Sequence, residues 1–568
     1  MRRNLKQIVI GTSIAAIFLI VVLAVILVKK FTPSKEKMEL TEYYTVPQGQ
    51  AMVFLDDTLY EKNARVIDNK VYFDLDTVTK YFGDRFYWDS TENLLFYTNA
   101  EAVVKAQTGE KSYLVNRTKT ETNYVVVKTD GGQVYIAADF IKEYAGLNFR
   151  LYEEPYRVMV DYEYKDYLYL DVTKATQLRT ASNIKEPILK ELVPGDKLML
   201  IDNGGVQENG FLKVMTEDGI RGFVKKKCLG ESYYEKKTTE WKEPEYSHIS
   251  KNYTINLVWH QVTNQEANGN LATLIAGTKG VTTISPTWFR VNSVEGTLAS
   301  LASESYVQLA HNMGLEVWAL FDNFDSSVDS YQLLSRSSNR ERLVNEIIAT
   351  AIRYNLDGIN IDFESLNQET GPHFIQFLRE LSVKCRLNHI ILSSDNPVPA
   401  PYSKFYNREE QGEILDYVII MGYDEHHSRS ETSGSVASIN FIKEALDNSL
   451  AMVPAQRLIM GIPFYTRLWK TTTENGVETL TSEALGMTNA EKTLSNNGAV
   501  PEWDETTKQY YAEYTKDGNA YYQIWLEEER SIEEKMKLIY DANLAGVAAW
   551  RLGFEKSAIW DVILKYIN

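Results

Sequence analysis

The sequence predicts an α/β protein: a C-terminal (β/α)8 barrel with a small α+β insertion, preceded by a small β-barrel, an α+β repeat module and an N-terminal transmembrane helix. Three observations predict this. From about Ile249 to the end, short apolar runs alternate with helix-period stretches, the order that builds a parallel sheet. Inside that region "LDGINIDFESL", beginning at Leu356, alternates apolar with polar residues, the period of a strand with two unlike faces. Far upstream, Ile8 to Val28 is an unbroken uncharged apolar run, just long enough to cross a bilayer as a helix.

The N-terminal run is flanked by Arg2, Arg3 and Lys6 on one side and by Lys29 and Lys30 on the other. A cleaved signal would have a shorter apolar region and small residues at its end, whereas this run leads directly into "KKFTPSKEKMEL". It reads as an uncleaved anchor, with residues 1–40 forming a cytoplasmic tip, the span and a linker. The basic residues do not decide orientation. The domain content does: a single-pass protein of the cell membrane is expected, with the bulk of the chain extracellular.

At 568 residues the chain is expected to hold about three or four domains. A formal net charge of -17, without basic clusters, excludes nucleic acid as the main partner. Cys228 and Cys385 are expected to be free thiols in different domains, so no disulfide framework and no zinc site is indicated. No cofactor is implied.

Residues 41–164 contain a repeat. "VYFDLDTVTKYFGDRFYWDSTENLLFYT" from Val71 and "VYIAADFIKEYAGLNFRLYEEPYRVMVDY" from Val134 share a Val-Tyr strand, a short helix and an aromatic hairpin. Two such units should pack together into one α+β domain. The repeat resembles the N-terminal module of copper amine oxidases, but no cluster of His ligands accompanies it, so a scaffold or wall-contacting role is implied. Residues 165–232 change to short strands with turn signals, and their Leu178-Arg179 start, Pro194-Gly195 turn and closing Gly222-Phe-Val resemble a bacterial SH3-like domain. Such a barrel is either a wall-binding module or a spacer.

The barrel is assigned to residues 245–568, with strands in "TINLVWH", "GVTTISPTWF", "LEVWALFDN", "LDGINIDFE", "HIILSSDN", "LDYVIIMGYDE", "RLIMGIPFY" and "GVAAWRLG". The aromatic segment at about 466–528 is too long for a loop and is expected to form an inserted subdomain, with Trp525 in its own core. In such a barrel, chemistry gathers at the C-terminal ends of the strands. Ile359, Ile361 and Phe363 should then face the helices, while Asn360, Asp362 and Glu364 climb the inner wall. Residues two apart on a strand work from one side, so Asp362 and Glu364 cannot straddle a scissile bond as separated glycosidase carboxylates do. One can raise the other's pKa and leave it protonated as a general acid, with the nucleophile coming from elsewhere, such as the substrate's own 2-acetamido oxygen.

The stretch from Asp357 to Glu364 resembles the DGxDxDxE signature of glycoside hydrolase family 18, the chitinases and N-acetylglucosaminidases. "MGYD" at Met421 to Asp424 and "GVAAWRLG" resemble the family's sixth and eighth strands. The resemblance covers about the last three hundred residues, and the added modules resemble the Gram-positive branch of spore-cortex and cell-wall glucosaminidases. It implies Glu364 as general acid and base, Asp362 orienting the acetamido group and Tyr423 hydrogen-bonding its oxygen. Asp424, Met421 and Asn360 would contact or border the sugar, Trp550 would form its floor, and Asp357 and Gly358 would be structural. Two departures stand out: Asn360 replaces the middle Asp, and "ALFDN" at Ala319 replaces the SxGG pattern of the third strand. His426 and His427 read as loop residues or sugar contacts, and Trp259, Trp288 and Tyr465 as subsites or core.

The implied partner is a polysaccharide containing N-acetylglucosamine, peptidoglycan or chitin-like. The competing readings are a noncatalytic wall-binding protein on a barrel that has lost turnover, and an enzyme acting on chitin or glycoprotein glycans.

Overall fold

The computed structural model describes residues 2–201, 209–474, 476–516, 518 and 520–567. Two compact units are present: Met1–Phe86 with Ala106–Leu114 and Thr118–Glu243, and Tyr87–Lys105 with Val115–Arg117 and Pro244–Asn568.

In the first unit, a helix spans Arg2–Phe31, and Gln7–Phe31 within it is apolar enough to cross a membrane, with none of it buried. The two repeat copies meet through their opening strands: Lys70–Asp74 pairs antiparallel with Gln133–Ala137, Phe73 opposite Ile136. A short helix follows each, Leu75–Tyr81 and Ala138–Ala145. Asp74 caps the first, accepting from the Thr77 amide at 3.1 Å and its hydroxyl at 2.6 Å, as a helix with unpaired N-terminal amides requires. The second copy's hairpin, Asn148–Tyr152 and Arg157–Asp161, joins the same sheet beside Gln50–Leu55. Seven antiparallel strands between Asp166 and Lys236 make the small β-domain. Gly222 is needed there because a Cβ would stand 2.7 Å from the Arg179 carbonyl oxygen.

The second unit is built on a closed barrel of parallel strands β1 (Ile255–His260), β2 (Thr283–Val291), β3 (Glu316–Asp322), β4 (Gly358–Asp362), β5 (Ile391–Pro397), β6 (Tyr417–Met421), β7 (Leu458–Pro463) and β8 (Gly546–Trp550). Strand β1 pairs with both β2 and β8, which closes the ring. Ile359, Ile361 and Phe363 belong to the large core between strands and helices, where Phe363 stacks on Phe374 and Phe377. The barrel interior is a separate core holding Trp259, Trp318, Leu320 and Tyr417. Gly358 sits over it: a Cβ there would lie 2.7 Å from the Trp318 ring.

Between β7 and β8 a five-stranded antiparallel sheet and the helix Met487–Asn496 form the insertion. Its core is Leu468, Ala490, Leu494, Ala512, Ile524 and Leu526. Trp525 is not in it: alternation along Ala520–Leu526 turns the ring to the other face, where it lies partly exposed against Tyr511, centroids 4.8 Å apart.

The first copy's hairpin behaves differently from the second's. Leu94–Thr98 is buried at every position, which requires cover on both faces. On the face that carries Phe96 and Thr98, that cover comes from the helices α1 (Ser337–Tyr354) and α2 (Gly371–Asn388). No side chain of its own caps α1, and Asp89 accepts from the Ser337 amide at 2.6 Å while Glu92 accepts from the Ser338 amide at 3.1 Å. Beneath them, buried Arg340 pairs with Glu380 at 3.0 Å, donates to the Tyr87 hydroxyl at 3.2 Å and stacks over its ring. Gln376 donates to Thr98, and Arg386 to the Ala100 carbonyl.

Candidate active site

Strand alternation brings the acids together. Asp322 on β3 stands opposite Asp362 on β4, and Ile361 stands opposite Ser394 on β5, so Asp395 continues the same row. Neighbouring strands lie about 4.8 Å apart, which sets three aspartates side by side on the inner wall. Glu364 follows just beyond the end of β4, half-buried.

Among the described residues, one cation binds this row, and it does so through Asp322 alone. Arg290 binds Asp322 with two bonds, at 2.7 and 3.1 Å. Asp362 and Asp395 have no ion-pair partner among the described residues, so burial and mutual repulsion favour their neutral forms. Burial, then Asp395, Glu364 and Asp322, push Asp362 far above the usual carboxylate range. Burial raises Asp395 to about 8, against the opposing hydrogen bond from Asn360. Glu364 is raised by burial, then by Asp424 and Asp322. The group thus holds protons at a pH where ordinary carboxyls have lost them, the condition for a general acid near neutrality.

Asn360, at the departure from the family signature, is fully used. Its carbonyl oxygen accepts from the Trp259 indole at 3.1 Å and the Ser285 hydroxyl at 3.2 Å. Its amide donates to Asp395 at 2.8 Å and Ser393 at 3.2 Å. The acid absent from position 360 therefore has a counterpart one strand away. Asp362 lies beside it with its Oδ1 buried and without a hydrogen-bond partner among the described residues, an exception to the rule that buried polar atoms are paired.

Asp395 and Asn323 were not singled out by sequence reasoning. For Asp395 the signal was Ser393 and Asp395 alternating with Leu392 in "HIILSSDN". Asn323 lies in "ALFDN", where its side chain clamps Glu364 by the main chain, accepting from its amide at 2.9 Å and donating to its carbonyl at 3.0 Å. Asn323→Ala is expected to lower kcat roughly tenfold with little change in KM, because it frees the acid's backbone and leaves the cleft intact. Steady-state kinetics checks this.

The remaining residues fall around this row. Tyr423 stands edge-on to Trp259 and Tyr465, and burial followed by Asp395 and Asp362 raises its hydroxyl far enough to remain a donor. Trp550, partly exposed, packs on Trp259 with centroids 6.0 Å apart. Asp424 accepts from the Tyr465 hydroxyl at 2.6 Å. Met421, Tyr423, Asp424 and Glu364 line a cleft of about 670 Å3. Asp357 lies at the opposite end of β4, accepting from the Val317 amide and His311, each at 2.8 Å. Trp259 and Trp288 are buried, and Trp288 donates to Asn268 at 2.8 Å. His426 contacts the Ser435 carbonyl, and no cluster of potential metal ligands occurs among the described residues.

Asp395→Asn tests the row thermodynamically. A carboxyl whose pKa rises from 3.8 to about 8 on folding contributes stability that is complete below 3.8 and lost as pH rises through about 8. The substitution should leave stability near pH 4 almost unchanged and raise it, by roughly a few kcal/mol, at pH 8.5. Melting temperatures at the two pH values check this.

The chain belongs to the glycosyl hydrolases family 18, whose model matches residues 257–555. Residues 54–160 match the copper amine oxidase N-terminal domain. The chain is 26% identical to an uncharacterized glycosylase, YvbX, of Bacillus subtilis over 282 residues, which is 48% of this chain and 80% of that one. It is 25% identical to the cortical fragment-lytic enzyme of Bacillus subtilis over 284 residues, 48% of this chain and 65% of the relative. The crystal structure of the Bacillus cereus spore cortex-lytic enzyme SleL shares the fold, with a TM-score of 0.50 and 20% identity over 60% of this chain and 77% of that one.

Proposed function

We propose that this chain is a membrane-anchored glycosidase that faces the cell exterior and cleaves β-1,4 bonds following N-acetylglucosamine in peptidoglycan. Glu364 protonates the glycosidic oxygen and later deprotonates the incoming water. Asp362, directly below it, accepts the acetamido N–H of the reacting sugar through its carboxyl oxygen and so orients the acetamido oxygen for attack on the anomeric carbon. Tyr423 donates to that oxygen, and Trp550 supports the apolar face of the ring. Two displacements at one carbon give net retention.

The observation that carries this reading is the buried oxygen of Asp362, unpartnered among the described residues, beside a Glu364 whose pKa burial raises. It suits a substrate that brings its own nucleophile and an N–H to bind. Peptidoglycan is favoured over chitin by the apolar N-terminal helix, which would hold the enzyme at a cell surface, and by the likeness to a cortical fragment-lytic enzyme. The test is release of reducing ends from purified peptidoglycan and from chitin oligosaccharides by the full chain in detergent. Faster release from peptidoglycan is expected. Cleavage of chitin alone would reassign the substrate, and cleavage of neither would remove the hydrolase reading.

A further inference from the structure

The cleft beside Glu364 lies to one side of the acid row. Its walls include Glu364, Pro397, Val398, Phe405, Tyr423 and Phe441, whereas Asp362 and Trp550 lie outside them. With the reacting sugar over Trp550 and against Asp362, the cavity beyond Glu364 receives whatever is attached to the oxygen that Glu364 protonates. This step rests on the reading of Glu364 as proton donor. A volume of about 670 Å3 exceeds the need of one small ring and suits a sugar with a substituent arm.

The charge of the cavity is one-sided. Besides the proton-bearing Glu364, three acids, Asp424, Glu425 and Glu444, line it together with His427, and no Lys or Arg is among its described lining residues. Two of the carboxylates are fixed in place: Asp424 by the Tyr465 hydroxyl, and Glu425 by the Ser438 amide at 2.7 Å and hydroxyl at 3.0 Å. Arg408 lies behind the wall with its guanidinium directed to Pro397 and Ser403. A free carboxylate entering here would meet three acids and, among the described lining residues, no Lys or Arg to offset them, the arrangement by which sites reject a ligand.

We propose that this cavity is a leaving-sugar subsite that admits an amino sugar with a neutral 3-O arm and rejects the same sugar when the arm is a free carboxylate. In peptidoglycan the acid-bearing sugar is neutral at that point when its arm is joined through an amide and anionic when the arm is bare. The cavity would therefore direct the enzyme toward amide-closed positions.

The test uses the full chain in detergent and synthetic disaccharides with N-acetylglucosamine on the reacting side. The leaving sugar is plain N-acetylglucosamine, its 3-O-lactyl acid or the corresponding lactyl amide. At low salt, kcat/KM for the amide is expected to exceed that for the acid about tenfold or more, and the gap should shrink at high salt. Glu444→Gln should narrow it. Equal rates for acid and amide, a preference for the acid, or a gap indifferent to both salt and Glu444→Gln would overturn the proposal. Calorimetric binding of the three compounds to Glu364→Gln separates the two readings. Discrimination in binding without cleavage by the wild type would remove the hydrolase reading and keep the subsite; cleavage without discrimination would do the reverse.

Discussion

Glu364→Gln is expected to lower turnover on peptidoglycan by about a thousandfold while leaving substrate binding within a few-fold of wild type. The side chain keeps its size and its place beyond β4, and the main-chain clamp by Asn323 does not depend on the carboxyl. What is lost is the transferable proton, and general acid catalysis contributes roughly 10²–10⁴-fold. Burial and the neighbouring Asp424 and Asp322 hold Glu364 above the ordinary range, so wild-type activity should persist to higher pH than an unperturbed carboxyl permits and fall once Glu364 ionises. The residual rate of the substitution should lack that fall. A variant retaining more than a tenth of wild-type turnover would show that another group supplies the proton.

Arg340→Ala is expected to give the largest loss of stability. Arg340 is wholly buried, and its removal leaves Glu380 as an unpaired charge between α1 and α2 while the Tyr87 ring loses its cation. Breaking such a pair from one side costs roughly 3–5 kcal/mol, against a total stability of about 5–15 for a typical protein. The melting transition of the second unit should drop by on the order of 10 °C. Removing both charges, as in Arg340→Met with Glu380→Leu, should recover part of the loss, since the cost lies in the uncompensated carboxylate. A single substitution that melts within one or two degrees of wild type would mean that water reaches Glu380 and that the hairpin from Tyr87 to Lys105 is held otherwise.

The barrel was legible because parallel strands buried on both faces leave long apolar runs between helix-period segments, and the site because Asn360, Asp362 and Glu364 interrupt such a run with polar residues at every second position. The inward row was only partly legible. Asp362 announced itself through its neighbours in sequence, but Asp322 and Asp395 join it through register across three strands, which no local pattern encodes. Asn323 looked like a mere departure from a family pattern, because its use is a pair of hydrogen bonds to a residue 41 positions away. The two repeat copies read alike, yet their hairpins have different fates. The difference lies in Leu94–Thr98, whose lack of alternation signals burial on both faces without naming the cover.

The central claim is that the substrate supplies the nucleophile while this chain supplies a proton from Glu364 and a seat for the acetamido group at Asp362. The most direct measurement is proton NMR of the first product formed, made with a 2-acetamido substrate and repeated with its 2-hydroxy counterpart. The account predicts that the β-anomer appears first and that the 2-hydroxy substrate is not cleaved. An α-anomer appearing first, or comparable cleavage of both substrates, would contradict it.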